Sequence, residues 1–288
     1  MQAKMQPLTQ LLLDPNRANA ETGPSVIAVY RRRYENIDQP LHRHARGQAI
    51  AADSGLLKIE TETDRLVVPP GHAAWLPPEQ LHALGLCGQF SGWSIYVAPD
   101  AGSHLPARPS VIQVSGLLRE ATLRAATWSD VDALNDAQSR ISSVILDEIA
   151  SAPSEQLNLP LPTDRRLLKI AHALESNPAD NRTLQEWATW AAIAPRSLTR
   201  RFVVETGMSF SAWRQRVRLM RALEMLAIGA SVTTIAIDLN YDSLSAFIAM
   251  FKRAFGISPA RYLAETRPKF SGNSSNRSES TIVPIDPI

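Results

Sequence analysis

The sequence predicts an α+β protein in which the two kinds of secondary structure are segregated along the chain. Short β-prone runs broken by proline and glycine fill residues 25–114, a pattern typical of an antiparallel barrel or sandwich. From residue 115 onward, apolar residues recur at helical spacing, and the last third of the chain holds two copies of one two-helix unit. A chain of 288 residues has room for about two such domains.

The N-terminal elements are predicted from local composition. Each predicted strand is a short β-prone run bounded by turn residues; the strands are 26–31, 48–52, 56–61, 65–68, 74–76, 93–97 and 111–114. Helices are expected over 115–126 and 130–151, and the second carries an apolar stripe of Leu134, Ile141, Val144, Ile145 and Ile149. This stripe is explained equally well by packing on the barrel and by a dimer interface.

These patterns divide the chain into six segments. They are a weakly ordered lead-in (1–24), a barrel (25–114), a helical dimerisation region (115–151), a proline-containing linker (152–162), an all-α domain (163–268) and a disordered tail (269–288).

Composition excludes several classes of protein. No apolar run approaches the roughly 18 residues that span a bilayer, so we expect a soluble, cytoplasmic protein. A single cysteine, Cys87, excludes an intramolecular disulfide and a multi-cysteine zinc site. The chain has no glycine-rich phosphate loop, nucleophile elbow or paired-carboxylate motif, which argues against an ordinary hydrolase or nucleotide enzyme.

The net charge of +2 is distributed unevenly. Residues 160–270 contain 16 basic and 9 acidic residues, a net of +7, and the rest of the chain has 14 basic and 19 acidic residues, a net of −5. The basic charge therefore lies on the duplicated half. This asymmetry favours a polyanionic partner, although a solvated surface also reaches this charge.

The duplication has the pattern of a helix-turn-helix module. Leu198, Phe202, Gly207, Ser209 and Trp213 recur 49 positions later as an apolar, glycine, serine and aromatic series: Phe247, Phe251, Gly256, Ser258 and Tyr262. Upstream of the turn the offset is 48, so the second copy has one extra residue there. A helix over residues 209–228, about 30 Å long, joins the copies, close to the roughly 34 Å between successive major-groove faces of DNA. It carries Arg214, Arg216, Arg218 and Arg221, candidates for phosphate contact.

The second helix of each copy is the candidate recognition helix. In the first copy, arginines and hydroxyls suited to guanine edges and phosphates lie outside the apolar face: Arg196, Ser197, Thr199, Arg200 and Arg201. In the second copy, the outward residues offer few bidentate donors: Ser243, Leu244, Ser245, Ala249 and Lys252, with Arg253 beside it. We therefore expect the first copy to read sequence and the second mainly to anchor the protein.

The region from Leu168 to Thr266 resembles the AraC-type family of bacterial transcription regulators. The resemblance rests on residues 196–202 (RSLTRRF), residues 207–210 (GMSF), residues 241–247 (YDSLSAF) and residues 251–259 (FKRAFGISP), in the family's order and spacing. It implies base contacts from Arg196, Thr199 and Arg200 in the first module and from Leu244, Ser245 and Ala249 in the second.

The chain departs from the family where each helix-turn-helix usually has a turn glycine. Ala192 and Asn240 occupy these positions. Asparagine tolerates a left-handed backbone, whereas alanine does so at a cost.

Histidines in the β-rich half form a second candidate site. His42 and His44 alternate, so both rings point to one face of a strand, and Gln48 and His82 follow. The pattern resembles the metal-binding motifs of cupin barrels, with Gln48 where the family has a carboxylate and Glu79 where it has a glycine. The alternatives are a divalent metal held by His42, His44, Gln48 and His82, and polar lining for an organic effector. No cofactor is firmly predicted.

Together these features predict a cupin-like β-barrel with flanking helices, followed by two helix-turn-helix modules joined by a long helix. The leading hypothesis is a homodimeric, sequence-specific transcription regulator that binds promoter DNA under control of a small-molecule or metal effector, and contacts RNA polymerase if it is an activator. The alternatives are a metal-dependent cupin enzyme with an accessory DNA-binding half and a constitutive DNA-binding protein.

Overall fold

A computed structural model describes residues 13–33, 38–128, 130–155 and 157–266. Within these residues nine strands form one antiparallel sheet: β1 (Val26–Arg33), β2 (Asp38–His42), β3 (Gly47–Thr61), β4 (Asp64–Val68), β5 (His72–Leu76), β6 (His82–Val97), β7 (Ser110–Gln113), β8 (Ser154–Glu155) and β9 (Asn158–Pro160).

The sheet has the order β1-β6-β3-β5-β7-β8, with β2 paired to β6, β4 to β3 and β9 to β4. It does not close, so the expectation of a complete barrel is corrected: β1 and β8 end the main strand order without pairing to each other. The predicted strands 48–52 and 56–61 are one strand, β3. Its register shifts near Ser54, and Gly55 there adopts a φ of 76°, which favours glycine.

Two segments differ from the sequence expectations. The proposed linker contributes β8 and β9, because Leu157, Leu159 and Leu161 alternate inward and are buried. Residues 13–24 of the proposed weakly ordered lead-in contain a short helix, and the buried Arg46 guanidinium donates hydrogen bonds to the carbonyls of Arg17, Thr22 and Pro24 in this segment. The proposed tail, 269–288, lies outside the described residues.

With one exception near the N-terminus, the described helices all lie after residue 115. They are α1 (Pro15–Ala18), α2 (Gly116–Ala125), α3 (Asp136–Ser151), α4 (Arg165–Ser176), α5 (Leu184–Trp190), α6 (Pro195–Thr206), α7 (Phe210–Ala227), α8 (Val232–Asp238), α9 (Leu244–Phe255) and α10 (Pro259–Thr266). None of the described helices is both long and apolar enough to cross a membrane.

Part of the predicted apolar stripe on α3 packs against the sheet of the same chain. Ile145 and Ile149 are fully buried in a core with α2 and the sheet residues Trp93 and Ile95, whereas Val144 remains 36% exposed. Packing on the sheet therefore accounts for Ile145 and Ile149 without a dimer interface.

The helical domain packs against the sheet through α7. The Trp213 indole Nε1 donates to the Pro160 carbonyl of β9 at 2.7 Å. Ion pairs Lys58–Glu224 and Arg65–Glu175, at 3.9 and 3.5 Å, also join the two regions. One continuous apolar core therefore runs from the sheet into the helices.

Candidate nucleic-acid interface and histidine cluster

The two helix-turn-helix units have the same internal packing. In the first, the Phe202 ring of α6 meets the Trp213 ring edge to face, with centroids 5.5 Å apart. In the second, Phe251 of α9 meets Tyr262 in the same manner, also at 5.5 Å. The aromatic pair predicted to repeat at an offset of 49 is therefore present in three dimensions.

The turns repeat as well. Ala192 and Asn240 both adopt left-handed backbone, with φ of 50° and 55°, at the two positions where the family usually has glycine. Two residues separate Ala192 from α6, and three separate Asn240 from α9. The extra residue of the second copy therefore lies after the left-handed residue, within the turn.

The start of α6 presents polar side chains to solvent. Leu198 and Phe202 are fully buried, and Arg196, Thr199 and Arg200 are exposed on the remaining faces, with Ser197 half-buried beside them. The first residues of a recognition helix are those that reach base edges in the major groove. The geometry therefore leaves these side chains available to DNA.

Arg201 differs from its neighbours because it is held by the protein. Its guanidinium pairs with the Asp164 carboxylate, which also caps α4 through the amide of Arg166. Hydrogen bonds from Arg166 lower the pKa of Asp164 to about 2. Arg201, predicted as a DNA contact, therefore links α6 to α4.

The start of α9 is exposed but less charged. Leu244 is 40% exposed, and Ser245 and Ala249 are also exposed. Ser243 is the N-cap, and its Oγ accepts from the Ala246 amide at 3.1 Å. Lys252 lies exposed in the last turn.

The arginines of the joining helix α7 turn toward the protein. Arg214 donates to the carbonyls of Asp180 and Arg182, and Arg216 donates to that of Asn158. Arg218 donates to the Pro178 carbonyl at 2.9 Å. These contacts give Arg214, Arg216 and Arg218 a structural role within the chain, whereas Arg221 is exposed. Phosphate contact by the α7 arginines stays a prediction.

The predicted histidines converge in the sheet domain. Across the β2–β6 pair, His42 lies opposite His82, and their ring centroids are 4.3 Å apart. His44 adds a third ring, 6.0 Å from His42 and 5.2 Å from His82. One potential ligand nitrogen from each of the three lies within 4.8 Å of the others.

The sheet curls around this cluster. His82 and Tyr96 are fourteen residue steps apart along β6, a span of roughly 46 Å if the strand were straight. Both rings nevertheless lie near that of His44, at 5.2 and 5.4 Å between centroids. Both ends of β6 therefore contribute a ring to one cluster.

Gln48 and Tyr96 are polar neighbours of the histidine cluster. Gln48 is fully buried, with Oε1 3.3 Å from His44 Nε2 and Nε2 donating to Tyr96 Oη at 3.1 Å. Sequence analysis missed Tyr96, although it lies opposite Gln48 in the β3–β6 register. Its only signal was an aromatic residue at a strand position.

Burial disfavours the charged imidazolium form of His44 and His82. Desolvation lowers the pKa of His82 to about 4 and also lowers the pKa of His44. Neutral imidazole is the form that accepts a hydrogen bond or binds a metal.

Several known proteins are similar to this chain. A family model described as a helix-turn-helix domain matches residues 187–265. The HTH-type transcriptional regulator NimR of Escherichia coli K12 is 32% identical over 230 residues, covering 80% of this chain and 84% of NimR. The arabinose operon regulatory protein of the same organism is 24% identical over 240 residues, covering 78% and 80% of the two chains. A ToxT structure from Vibrio cholerae has 12% identity and a TM-score of 0.37, covering 83% and 97%.

The duplicated helical modules and these relatives define a DNA-binding transcription regulator. The chain belongs to the AraC-type family, and the predicted resemblance is confirmed.

Proposed function

We propose that this protein is a sequence-specific regulator in which the first module reads the base sequence of promoter DNA and the second module mainly anchors the protein. The exposed arginines at the start of α6 are the observation that carries this proposal. Arg196 and Arg200 are free of the ion pair that holds Arg201, so their guanidinium groups are suited to guanine edges. The α9 residues would supply methyl contacts and backbone anchoring.

The N-terminal sheet domain, with its cupin-like histidine cluster, is proposed to bind the effector. The three histidines and the Gln48 amide form a polar cluster inside a domain that contacts the DNA-binding half through α7. A ligand that favours one arrangement of these contacts would shift the population of DNA-binding states. The regulators among its relatives favour this reading over a cupin enzyme.

A homodimer is part of the proposal, with promoter DNA as the partner and RNA polymerase as a further partner if the protein is an activator. Because Ile145 and Ile149 are already buried, a dimer on α3 would use its outer face, where Val144 is exposed.

In vitro selection from a random duplex library tests this function. We expect the full chain to enrich one motif and to bind it at least about 1,000-fold more tightly than random duplex at physiological salt. Equal affinity for all duplexes would contradict sequence-specific regulation.

A further inference from the structure

Two buried imidazole nitrogens in the histidine cluster lack a partner. His42 Nε2 and His82 Nε2 are among the buried side-chain atoms of the described residues that make no hydrogen bond. An unsatisfied buried polar atom costs about 1 to 3 kcal/mol, so two in one cluster require an explanation.

The other nitrogen of each ring fixes its tautomer. His42 Nδ1 lies 3.0 Å from the Pro40 carbonyl, His44 Nδ1 2.6 Å from that of Arg46, and His82 Nδ1 2.7 Å from that of Gln80. A carbonyl oxygen only accepts, so each Nδ1 carries the hydrogen. A ring whose single hydrogen is on Nδ1 has a lone pair on Nε2, and this pattern of Nδ1–H donation to backbone carbonyls is typical of metal-binding histidines.

The Gln48 side chain strengthens this reading. Its Nε2 donates to the hydroxyls of Ser94 and Tyr96, which leaves Oε1 toward His44 Nε2 at 3.3 Å. An amide oxygen and an imidazole lone pair are both acceptors. A cation between them satisfies both atoms.

We infer that the histidine cluster is a metal site in which His42, His44 and His82 bind one divalent cation through Nε2, with Gln48 Oε1 as the neighbouring oxygen donor. Nitrogens on one tetrahedral zinc ion at about 2.1 Å are about 3.4 Å apart, and the present ligand atoms all lie within 4.8 Å of one another, so the rings need to close by at most about 1.4 Å.

The donor set also selects among metals. Three neutral imidazoles and an amide oxygen bring no negative charge, so hard cations such as Mn²⁺ gain little from this site. Zn²⁺, Ni²⁺ and Cu²⁺ suit imidazole ligands and bind more tightly in general. That the bound metal acts as the effector rests on the proposed function.

Direct binding to the untagged full chain tests the site. After dialysis against a chelator, we expect one Zn²⁺ per chain by titration, and one Co²⁺ whose visible absorption bands disappear when Zn²⁺ is added. Mn²⁺ should bind more weakly than Zn²⁺. No saturable binding of Zn²⁺ or Co²⁺ would overturn the inference.

Matched histidine variants locate the ion. His82→Leu, or His42→Leu if the first does not fold, should weaken Zn²⁺ binding by about 100-fold or more. His72→Leu is the control, because His72 also has a burial-lowered pKa and an Nδ1 contact to a carbonyl but lies outside the cluster. Equal Zn²⁺ affinity in the cluster variants and the control would place the ion elsewhere.

DNA binding in the same samples separates the two proposals. We expect Zn²⁺ to change affinity for the selected duplex by at least about five-fold. Bound Zn²⁺ without any change in DNA affinity would overturn the effector role. Failure to prefer any duplex would refute the proposed function while leaving the metal measurement intact.

Discussion

The two helix-turn-helix modules share one backbone design and differ in the side chains that they present. Both have a left-handed turn residue, a buried aromatic pair and a C-terminal glycine with φ near 71°, at Gly207 and Gly256. At matching exposed positions, however, Arg196 and Arg200 of α6 correspond to Ser245 and Ala249 of α9. Duplication has thus kept the scaffold, and the contact surface has diverged.

The modules are also held in place differently. The first is tied to α4 by polar contacts: Arg201 pairs with Asp164, and Glu205 Oε2 accepts from the amides of Thr163 and Asp164 at 2.8 and 2.9 Å. The positions that match Arg201 and Glu205 in the second module are Met250 and Ala254, which offer no such groups. That module instead packs α10 through Tyr262. Each module is therefore sensitive to a different class of substitution.

The largest effect is expected from removing the arginines of α6. Arg196→Ala and Arg200→Ala should each cost about 1 to 3 kcal/mol at the selected duplex and relax base preference, because bidentate guanine contacts are lost. Fluorescence anisotropy with base-substituted duplexes measures this loss. Arg140→Ala is the control, since this exposed arginine lies on α3, outside the helix-turn-helix modules. An identical loss on every duplex would make the α6 arginines phosphate contacts.

The second-largest effect is expected on the free energy of unfolding, from removing the Asp164 carboxylate that ties α4 to the first module. Asp164→Ala is expected to lower the free energy of unfolding by about 1 to 2 kcal/mol, because α4 loses its N-cap and Arg201 its partner. The midpoint of urea unfolding measures the change.

The same carboxylate predicts a pH dependence. Its folded pKa of about 2 lies below the unfolded value near 3.9, so its contribution is present above about pH 4 and declines as the pH falls toward 2. Asp164→Asn keeps a capping side chain and should lose this pH-dependent part. An unchanged acid profile in that variant would show that Asp164 does not provide it.

A smaller effect on DNA affinity is expected from adding a hydrogen-bond donor to the second module. Ala249→Arg places a guanidinium where Arg200 lies in the first module, and should strengthen DNA binding by about 1 kcal/mol. The slope of log affinity against log salt should become steeper by about one. Ala137→Arg, on the exposed surface of α3, adds the same charge away from the modules. Equal gains from both variants would reveal a general charge effect.

The smallest effect concerns the turns. Ala192→Gly should raise the free energy of unfolding by about 0.5 to 1 kcal/mol, because alanine carries a left-handed penalty that exceeds the entropy cost of glycine. Asn240→Gly should change it much less, since asparagine adopts this conformation readily. Thermal unfolding of the two variants measures the difference. Destabilisation by Ala192→Gly would show that the alanine turn is not strained.

Features encoded by local spacing were predictable from the sequence. The duplicated modules follow from a repeat of apolar and aromatic residues. The expected meeting of His42 and His44 is present, but not through strand alternation, because β2 ends at His42 and His44 lies beyond it. All seven predicted strands, which rest on short β-prone runs, overlap observed strands, and two of them are parts of β3.

Features that depend on distant partners were not predictable in the same way. The segment taken as a linker becomes β8 and β9 because its strands pair with β7 and β4, far away in the sequence. In the sequence, Arg201 and Arg216 look like exposed basic residues. In the structure, Arg201 pairs with the Asp164 carboxylate and Arg216 donates to the Asn158 carbonyl. The orphaned nitrogen of His82 likewise depends on which atoms surround it. Composition carries no record of these neighbours.

The proposed difference in sequence specificity between the two modules is tested most directly by the base preferences of the selected duplexes. In vitro selection with the wild-type chain should yield one strongly specified half-site and one weakly specified half-site, about one helical turn apart. Selection with an Arg196→Ala, Arg200→Ala double variant should remove the strong half-site and leave the weak one. Two equally specified half-sites in the wild type, or a strong half-site that survives the double substitution, would contradict the account.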